Sequence, residues 1–172
     1  MSLNYEIIDN FMPEHFHLDA KKYIIDDSAL RWFLSHHVSN AAANDGIYFI
    51  HGFFENFYST SDHMRLFQPV IDRINPQALI RFKANLYPGT ETIKKHGWHV
   101  DPGDTKSRGV LYYINSNNGK TILKGDDGED DVIVDSVANR ALFFESYKPH
   151  RSTTCTDEPH RVNLAVNYIP WD

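Results

Sequence analysis

Arg161-Val162-Asn163-Leu164-Ala165-Val166-Asn167-Tyr168 has a strict period of two. Arg161, Asn163, Ala165 and Asn167 fall on one side, and Val162, Leu164, Val166 and Tyr168 on the other. Successive side chains of a strand point to opposite faces, so this segment is a β-strand with one apolar face and one largely polar face. An arginine that heads the polar face of a core strand requires a fixed anion, because an unpaired buried charge is costly. A dicarboxylate whose far end meets the guanidinium in a bidentate pair supplies such an anion.

Moving back along the chain, Ala78 to Tyr87 reads as a strand closed by the turn signal Pro88-Gly89. Arg108 to Ile114, Thr121 to Lys124, Asp131 to Val134, Arg140 to Phe144, His150 to Thr154 and Arg161 to Ile169 follow as short strands. Turn clusters separate them, notably Asn115-Ser116-Asn117-Asn118-Gly119 and Gly125-Asp126-Asp127-Gly128. Short strands at such spacing predict a sandwich or barrel. The first half is mixed. Tyr5 to Ile8 is a strand candidate, and a helix is expected from Pro13-Glu14 to about Ile25. Ala29 to Leu34 and Gly46 to Phe54 are apolar and aromatic without a clear period. Ser61 or Asp62 can cap a second helix with Met64, Leu66, Phe67, Val70 and Ile71 on its buried stripe. The expectation is a single domain over residues 1–172, mainly β (α+β). Its helical part covers about 1–76 and its β core about 77–172.

Bulk properties restrict the function. The hydrophobic share is 41% and the charged share 23%, values of an ordinary globular chain. No apolar run approaches the roughly 20 residues that cross a bilayer, and residues 1–10 lack the pattern of a secretory signal. Cys155 is the only cysteine, so cytoplasmic residence is expected. A formal charge of −6 opposes non-specific binding to nucleic acid. The acidic run Gly125 to Asp131 lacks the spacing of a calcium loop and reads as a solvated hairpin tip.

The chemistry concentrates in His99-Val100-Asp101 and His150. On an extended strand His99 and Asp101 face one side, and Val100 the other. Two imidazoles and one carboxylate on one face of an octahedron make the site used by non-haem Fe(II) oxygenases, and zinc accepts the same ligands. His96 lacks a carboxylate two positions on, and His160 has no basic residue after Arg161, so His99 and His150 are the preferred imidazoles. Arg161 follows His150 at eleven positions. Upstream, Asn85-Leu86-Tyr87-Pro88-Gly89 puts Asn85 and Tyr87 on one strand face.

With these residues in view, the chain resembles the Fe(II)/2-oxoglutarate oxygenase superfamily: His-x-Asp, a distal His, then a basic residue about ten positions later. Asn85 to Gly89 and Arg161 to Leu164 look like the matching segments of the nucleobase demethylases. Tyr112-Tyr113-Ile114-Asn115, Asn118-Gly119-Lys120-Thr121 and Ile7 to Phe11 look like those of prolyl hydroxylases. The resemblance covers roughly Ala78 to Tyr168, with a looser match at the start. It implies a double-stranded β-helix (jelly roll, cupin-like) with the N-terminal helices packed outside the major sheet. It also implies Fe(II) held by His99, Asp101 and His150, and 2-oxoglutarate chelating iron through its keto acid. Arg161 and Tyr87 would hold the distal carboxylate, with Asn85 and Asn163 as lesser contacts. The implied reaction uses O2 to hydroxylate a C–H bond of a peptidyl, notably prolyl, or small-molecule substrate, releasing succinate and CO2. The demethylases place a second arginine where this chain has Asn167, which argues against base repair. Asp101 is retained, which argues against halogenation. A zinc-binding or non-catalytic β-sandwich and a cupin-type dioxygenase without cosubstrate are the competing readings. The loop Pro88 to Gly97 and the segment Ile47 to Ser61 are expected to border the mouth.

Overall fold

Both faces of the final strand are buried, and its two faces meet different surroundings. The computed structural model describes residues 4–27, 30–39, 46–126 and 128–171. Its larger antiparallel sheet contains β1 (Tyr5–Ile8), β2 (Phe33–Ser35), β3 (Tyr48–Glu55), β4 (Tyr58–Ser59), β5 (Ala78–Pro88), β6 (Arg108–Tyr113), β9 (Ala141–Phe144) and β11 (His160–Ile169). The order is β1-β9-β6-β11-β5-β3-β2, with β4 on β3. A smaller sheet pairs β10 (His150–Ser152), β7 (Asn117–Leu123) and β8 (Val132–Ser136) in that order. Mostly β, with two antiparallel sheets, the architecture is that of a jelly roll.

The helices cover the outer face of the larger sheet. Helix α1 (Glu14–Lys21) has Pro13 just before it and Glu14 in its first turn, the arrangement that a helix N-terminus favours. It continues into one wide π turn, Lys22–Asp26, closed by Asp27 N–H donating to the Lys22 carbonyl at 2.9 Å. Helix α2 (Met64–Ile74) buries Phe67, Val70 and Ile71. These side chains, with Ala20 and Ile24, join Phe53, Phe82, Val110, Val162, Leu164 and Val166 in the main core. The apolar side of β11 therefore packs under the helices. Its polar side faces inward, between the sheets. Tyr113, Leu123, Val134, Leu142 and Phe144 form a second apolar cluster that joins the smaller sheet to the larger one.

Some expectations shift. Leu66 is exposed; it lies one position, about 100° of helix rotation, away from the stripe through Phe67. The strand expected at Thr121 starts earlier, at Asn117. The turn-rich residues there satisfy one another locally: Gly119 N–H donates to Asn117 Oδ1 at 3.0 Å. The acidic run is the tip of the β7–β8 hairpin, with Asp127 outside the described residues. In the segment Ala29 to Leu34, Ala29 also lies outside them, and a strand forms only at Phe33–Ser35. No helix among the described residues is long and apolar enough to cross a membrane.

One side chain ties the N-terminal segment to the sheet. Asn139 sits at φ 62°, in the left-handed region that asparagine tolerates better than most residues. Its Oδ1 accepts from Met12 N–H (2.9 Å) and from the Tyr112 hydroxyl (3.2 Å), and its Nδ2 donates to the Met12 carbonyl (2.8 Å). Asn139→Ala is expected to destabilise the protein by about 3 kcal/mol, since it strands buried backbone groups and adds a strained φ. Urea unfolding should show a lower midpoint with an unchanged slope.

Candidate metal centre and cavity

The inward face of β11 lies beside the inward face of β5. Arg161 is opposite Tyr87, Asn163 opposite Asn85, Ala165 opposite Lys83 and Asn167 opposite Arg81. All of these residues except Asn167 line one wall of a narrow cavity of about 40 Å3. His99, Asp101, His150, Tyr48, Thr121 and Arg151 also line it.

His99 and His150 are direct cross-chain partners. The N–H of each donates to the carbonyl of the other, at 3.0 and 2.9 Å. The segment from Trp98 to Asp101 is extended but pairs only at His99, so it is not the full strand that the His-x-Asp spacing suggested. Asp101 N–H donates to the Ser146 carbonyl at 2.9 Å, which keeps the segment alongside β9 and β10 past the bridge. Val100 points out to solvent. His99, Asp101 and His150 each offer one ligand atom, and these atoms lie within 4.8 Å of one another.

The donor set suits a divalent cation. Nδ1 of His99 meets the Gly97 carbonyl at 3.3 Å, and Nδ1 of His150 meets that of Lys148 at 3.0 Å. A carbonyl only accepts, so each Nδ1 carries the proton and each Nε2 keeps its lone pair. Burial, with some repulsion from His150, lowers the pKa of His99 below its ordinary value. Asp101 is held on both oxygens, by Arg81 at 2.9 Å on Oδ1 and Asn167 at 2.9 Å on Oδ2. Burial opposes its ionisation, but His150, Arg81, the Asn167 hydrogen bond and Lys83 outweigh that and keep its pKa below the usual range.

Arg161 is fully buried at the other end of the wall. Its Nε donates to Ser136 Oγ and its Nη2 to Thr121 Oγ1, both at 2.8 Å. The rings of Tyr87 and Tyr113 lie 5.4 and 5.7 Å from the guanidinium carbon, within the range of cation–π attraction. Nη1 is buried with no hydrogen-bond partner. Gly119 makes room for the arginine: a Cβ there would come within 2.8 Å of Arg161 Cδ and 3.0 Å of the Thr154 carbonyl oxygen. Tyr87 is buried and stacked on Tyr48, with ring centroids 5.3 Å apart, and burial raises its pKa. Asn85 Nδ2 donates to Asn163 Oδ1 at 3.0 Å, and Asn85 Oδ1 has no partner.

All seven residues singled out from the sequence line this cavity. Arg81 and Lys83 were missed, although counting back in twos from Tyr87 and Asn85 puts both on the same face. Among the described residues, Lys83 reaches the Tyr48 hydroxyl, at 3.4 Å. Burial and the nearby Arg81 push its pKa down to about 8, against the pull of Asp101 and Glu55. His96 is buried away from the cluster; its Nδ1 lies 2.7 Å from Ser152 Oγ and its ring stacks on Tyr87. His160 opens β11 opposite Pro88, outside the cluster. Arg151 lies over the Trp98 ring, 4.0 Å from its centroid.

No protein-family model matches the sequence, and no curated protein does. Solved structures do match. A prolyl-4-hydroxylase from Pseudomonas putida superposes with a TM-score of 0.68 at 15% identity, over 98% of this chain and 94% of that one. An oxidoreductase of the 2OG-Fe(II) oxygenase family from Burkholderia pseudomallei gives 0.73 at 11%, over 96% and 84%. HygX from Streptomyces hygroscopicus, with nickel and 2-oxoglutarate bound, gives 0.62 at 11%, over 98% and 83%. Such low identities carry no information about substrate, but the chain path is shared almost end to end: this chain has the fold of the 2-oxoglutarate/Fe(II) oxygenases.

Proposed function

We propose that this chain is an Fe(II)- and 2-oxoglutarate-dependent dioxygenase. It hydroxylates a C–H bond of a peptidyl (prolyl) or small-molecule substrate and releases succinate and CO2. The observation that carries this reading is the buried Nη1 of Arg161, left without a partner in the cavity that also holds the ligand atoms of His99, Asp101 and His150. A metal-only module has no use for such a nitrogen, whereas a diacid bound to the metal fills it.

In this reading His99, Asp101 and His150 hold the iron. Arg161 takes the distal carboxylate of 2-oxoglutarate, with Tyr87 packed against the guanidinium. Asn85 and Asn163 form the next row of the wall towards the metal residues. Iron, when bound, supplies the oxygen chemistry that couples decarboxylation of 2-oxoglutarate by O2 to oxidation of the substrate. The chain's own contribution is positioning: a charge pair at one end and a fixed carboxylate at the other leave the cosubstrate one orientation. The two sheets and the Tyr48–Tyr87 stack limit the access of water. The prolyl-4-hydroxylase and HygX support the reaction type and the ligand pair, respectively.

Anaerobic Fe(II) with 2-oxoglutarate is expected to give a visible charge-transfer band in the wild type and none in His99→Ala. Arg161→Ala should need about a hundredfold more 2-oxoglutarate, as loss of one partner of a buried charge pair implies. Succinate release should fall in parallel. A wild type that binds metal but never develops the band would sink the proposal in favour of a zinc-type module. Oxygen uptake without added 2-oxoglutarate would favour the cosubstrate-free reading.

Asn167→Ala frees one oxygen of Asp101 and should weaken Ni(II) binding about tenfold, the usual effect of losing a group that orients a ligand. In the wild type, Ni(II) affinity should hold as pH falls to about 6.5, since the pKa of His99 lies below that ordinary value. It should drop further down, where protons compete for His99. Isothermal titration measures both.

A further inference from the structure

We propose that the substrate of this site carries a carboxylate and that the ammonium of Lys83 receives it. The inference rests on the oxygenase reading and narrows its substrate. Lys83 lines the cavity in the row between Asn85/Asn163 and Arg81/Asn167. Ala165, the smallest side chain of the four rows, is directly opposite. Among the described residues the ammonium makes one hydrogen bond, the long one to Tyr48, whose ring centroid lies 5.5 Å away. Among the described residues it forms no ion pair.

Charge balance points the same way. The described residues lining the cavity include four cations, Arg81, Lys83, Arg151 and Arg161, and one anion, Asp101. Arg81 is already paired with Asp101 at 2.9 Å. Fe(II) and the 2-oxoglutarate dianion cancel in net charge, which leaves three cations in excess; of these, Arg161 faces the distal carboxylate of the dianion. Lys83 and Arg151 then remain without an anion, and Nε of Arg151 is buried with no hydrogen-bond partner. A substrate carboxylate meets this excess.

The cosubstrate is the rival occupant for the same lysine. Lys83 stands four residues from Tyr87, roughly 13 Å along the strand. The carboxyl carbons of a five-carbon diacid lie only about 5 Å apart, judged from the 3.8 Å that three backbone bonds span. The diacid is shorter than that separation, but the Lys83 row lies between Arg161 and the residues that grip Asp101, so the 2-oxoglutarate requirement of Lys83→Met is the readout that assigns the lysine to substrate or cosubstrate.

The test uses the full chain loaded with Fe(II) and 2-oxoglutarate. Free L-amino acids, proline among them, are each compared with their own amides, and capped peptides containing Asp or Glu form a third arm. The readouts are succinate release in air and perturbation of the anaerobic visible band. Free acids or acidic peptides should stimulate release about tenfold or more above the amides, the scale of a hydrogen bond to a charged group. The arm that responds tells a small acid from an acidic side chain. Lys83→Met should lose this preference with its 2-oxoglutarate requirement for the band unchanged, and Lys83→Arg should retain it. Amides that match the acids, or carboxylates that have no effect, overturn the inference. So does a Lys83→Met protein whose band needs more 2-oxoglutarate, because the lysine then serves the cosubstrate. If Lys83→Met does not fold, the contrast between acids and amides in the wild type decides. A wild type without the band removes the oxygenase reading itself, a result that cannot be mistaken for the others.

Discussion

A guanidinium held out of water with one nitrogen unmatched is the constraint on which the rest of this structure depends. Burying a charge without full compensation costs several kcal/mol, and two neutral hydroxyls, Ser136 and Thr121, return only part of it. The fold tolerates this because Arg161 is the second residue of β11, a strand paired with β5 along its length and with β6 from Asn163 onward. Apolar burial under the helices provides the stability that the inner face gives up. The same alternation that makes Val162, Leu164 and Val166 core residues directs Arg161, Asn163 and Ala165 into the cavity and Asn167 onto Asp101. Stability and ligand affinity are thus separate faces of one strand.

The metal end is built differently. His99 and Asp101 belong to a segment attached to its neighbours by three backbone hydrogen bonds, two at the His99–His150 bridge and one from Asp101 to Ser146. Side chains supply the remaining precision: Arg81 and Asn167 grip the carboxylate, and the Gly97 and Lys148 carbonyls set the imidazole tautomers. Both gripping residues stand on the wall that carries Arg161. The distance between anion anchor and metal is therefore set by the register of β5 against β11, which the sheet holds rigid, and not by the looser segment around Trp98.

Much of this was legible in the sequence, for identifiable reasons. Strict alternation gave the faces of β11, and a polar residue at every second position told the cavity side from the core side. His-x-Asp spacing placed two ligand side chains together whether or not the segment joined a sheet, because extended backbone alone fixes that geometry. Leu66 was misplaced because a stripe on a short helix can be drawn one position wide of its true axis. Arg81 and Lys83 escaped because cations in a strand of mixed character read as solvated positions. Only the partner strand, with Asn167 and Ala165 facing them, shows that their side of β5 is enclosed. The partners of Arg161 were beyond reach for a similar reason: Thr121 and Ser136 come from the smaller sheet, and no local pattern states which sheet packs on which.

Arg81 also accounts for a feature that the sequence posed as a departure. In the demethylase-like pattern an arginine belongs at position 167, and this chain has asparagine. The register puts Arg81 directly opposite, where its Nε donates to Asn167 Oδ1 at 3.1 Å while Nη2 reaches Asp101. Here a cation stands on the neighbouring strand, and the asparagine links it to the carboxylate. The positive charge beside Asp101 approaches from β5, next to Lys83. Two cations two residues apart on one strand repel, and that repulsion contributes to the low pKa of the lysine. An ammonium kept in so unfavourable a place gains more than usual from an arriving anion, since binding relieves both its desolvation and its repulsion. The −6 charge of the whole chain does not weaken that attraction, because charges beyond a Debye length of about 8 Å are screened. Selection of an anion by this cavity is therefore a short-range property of its wall.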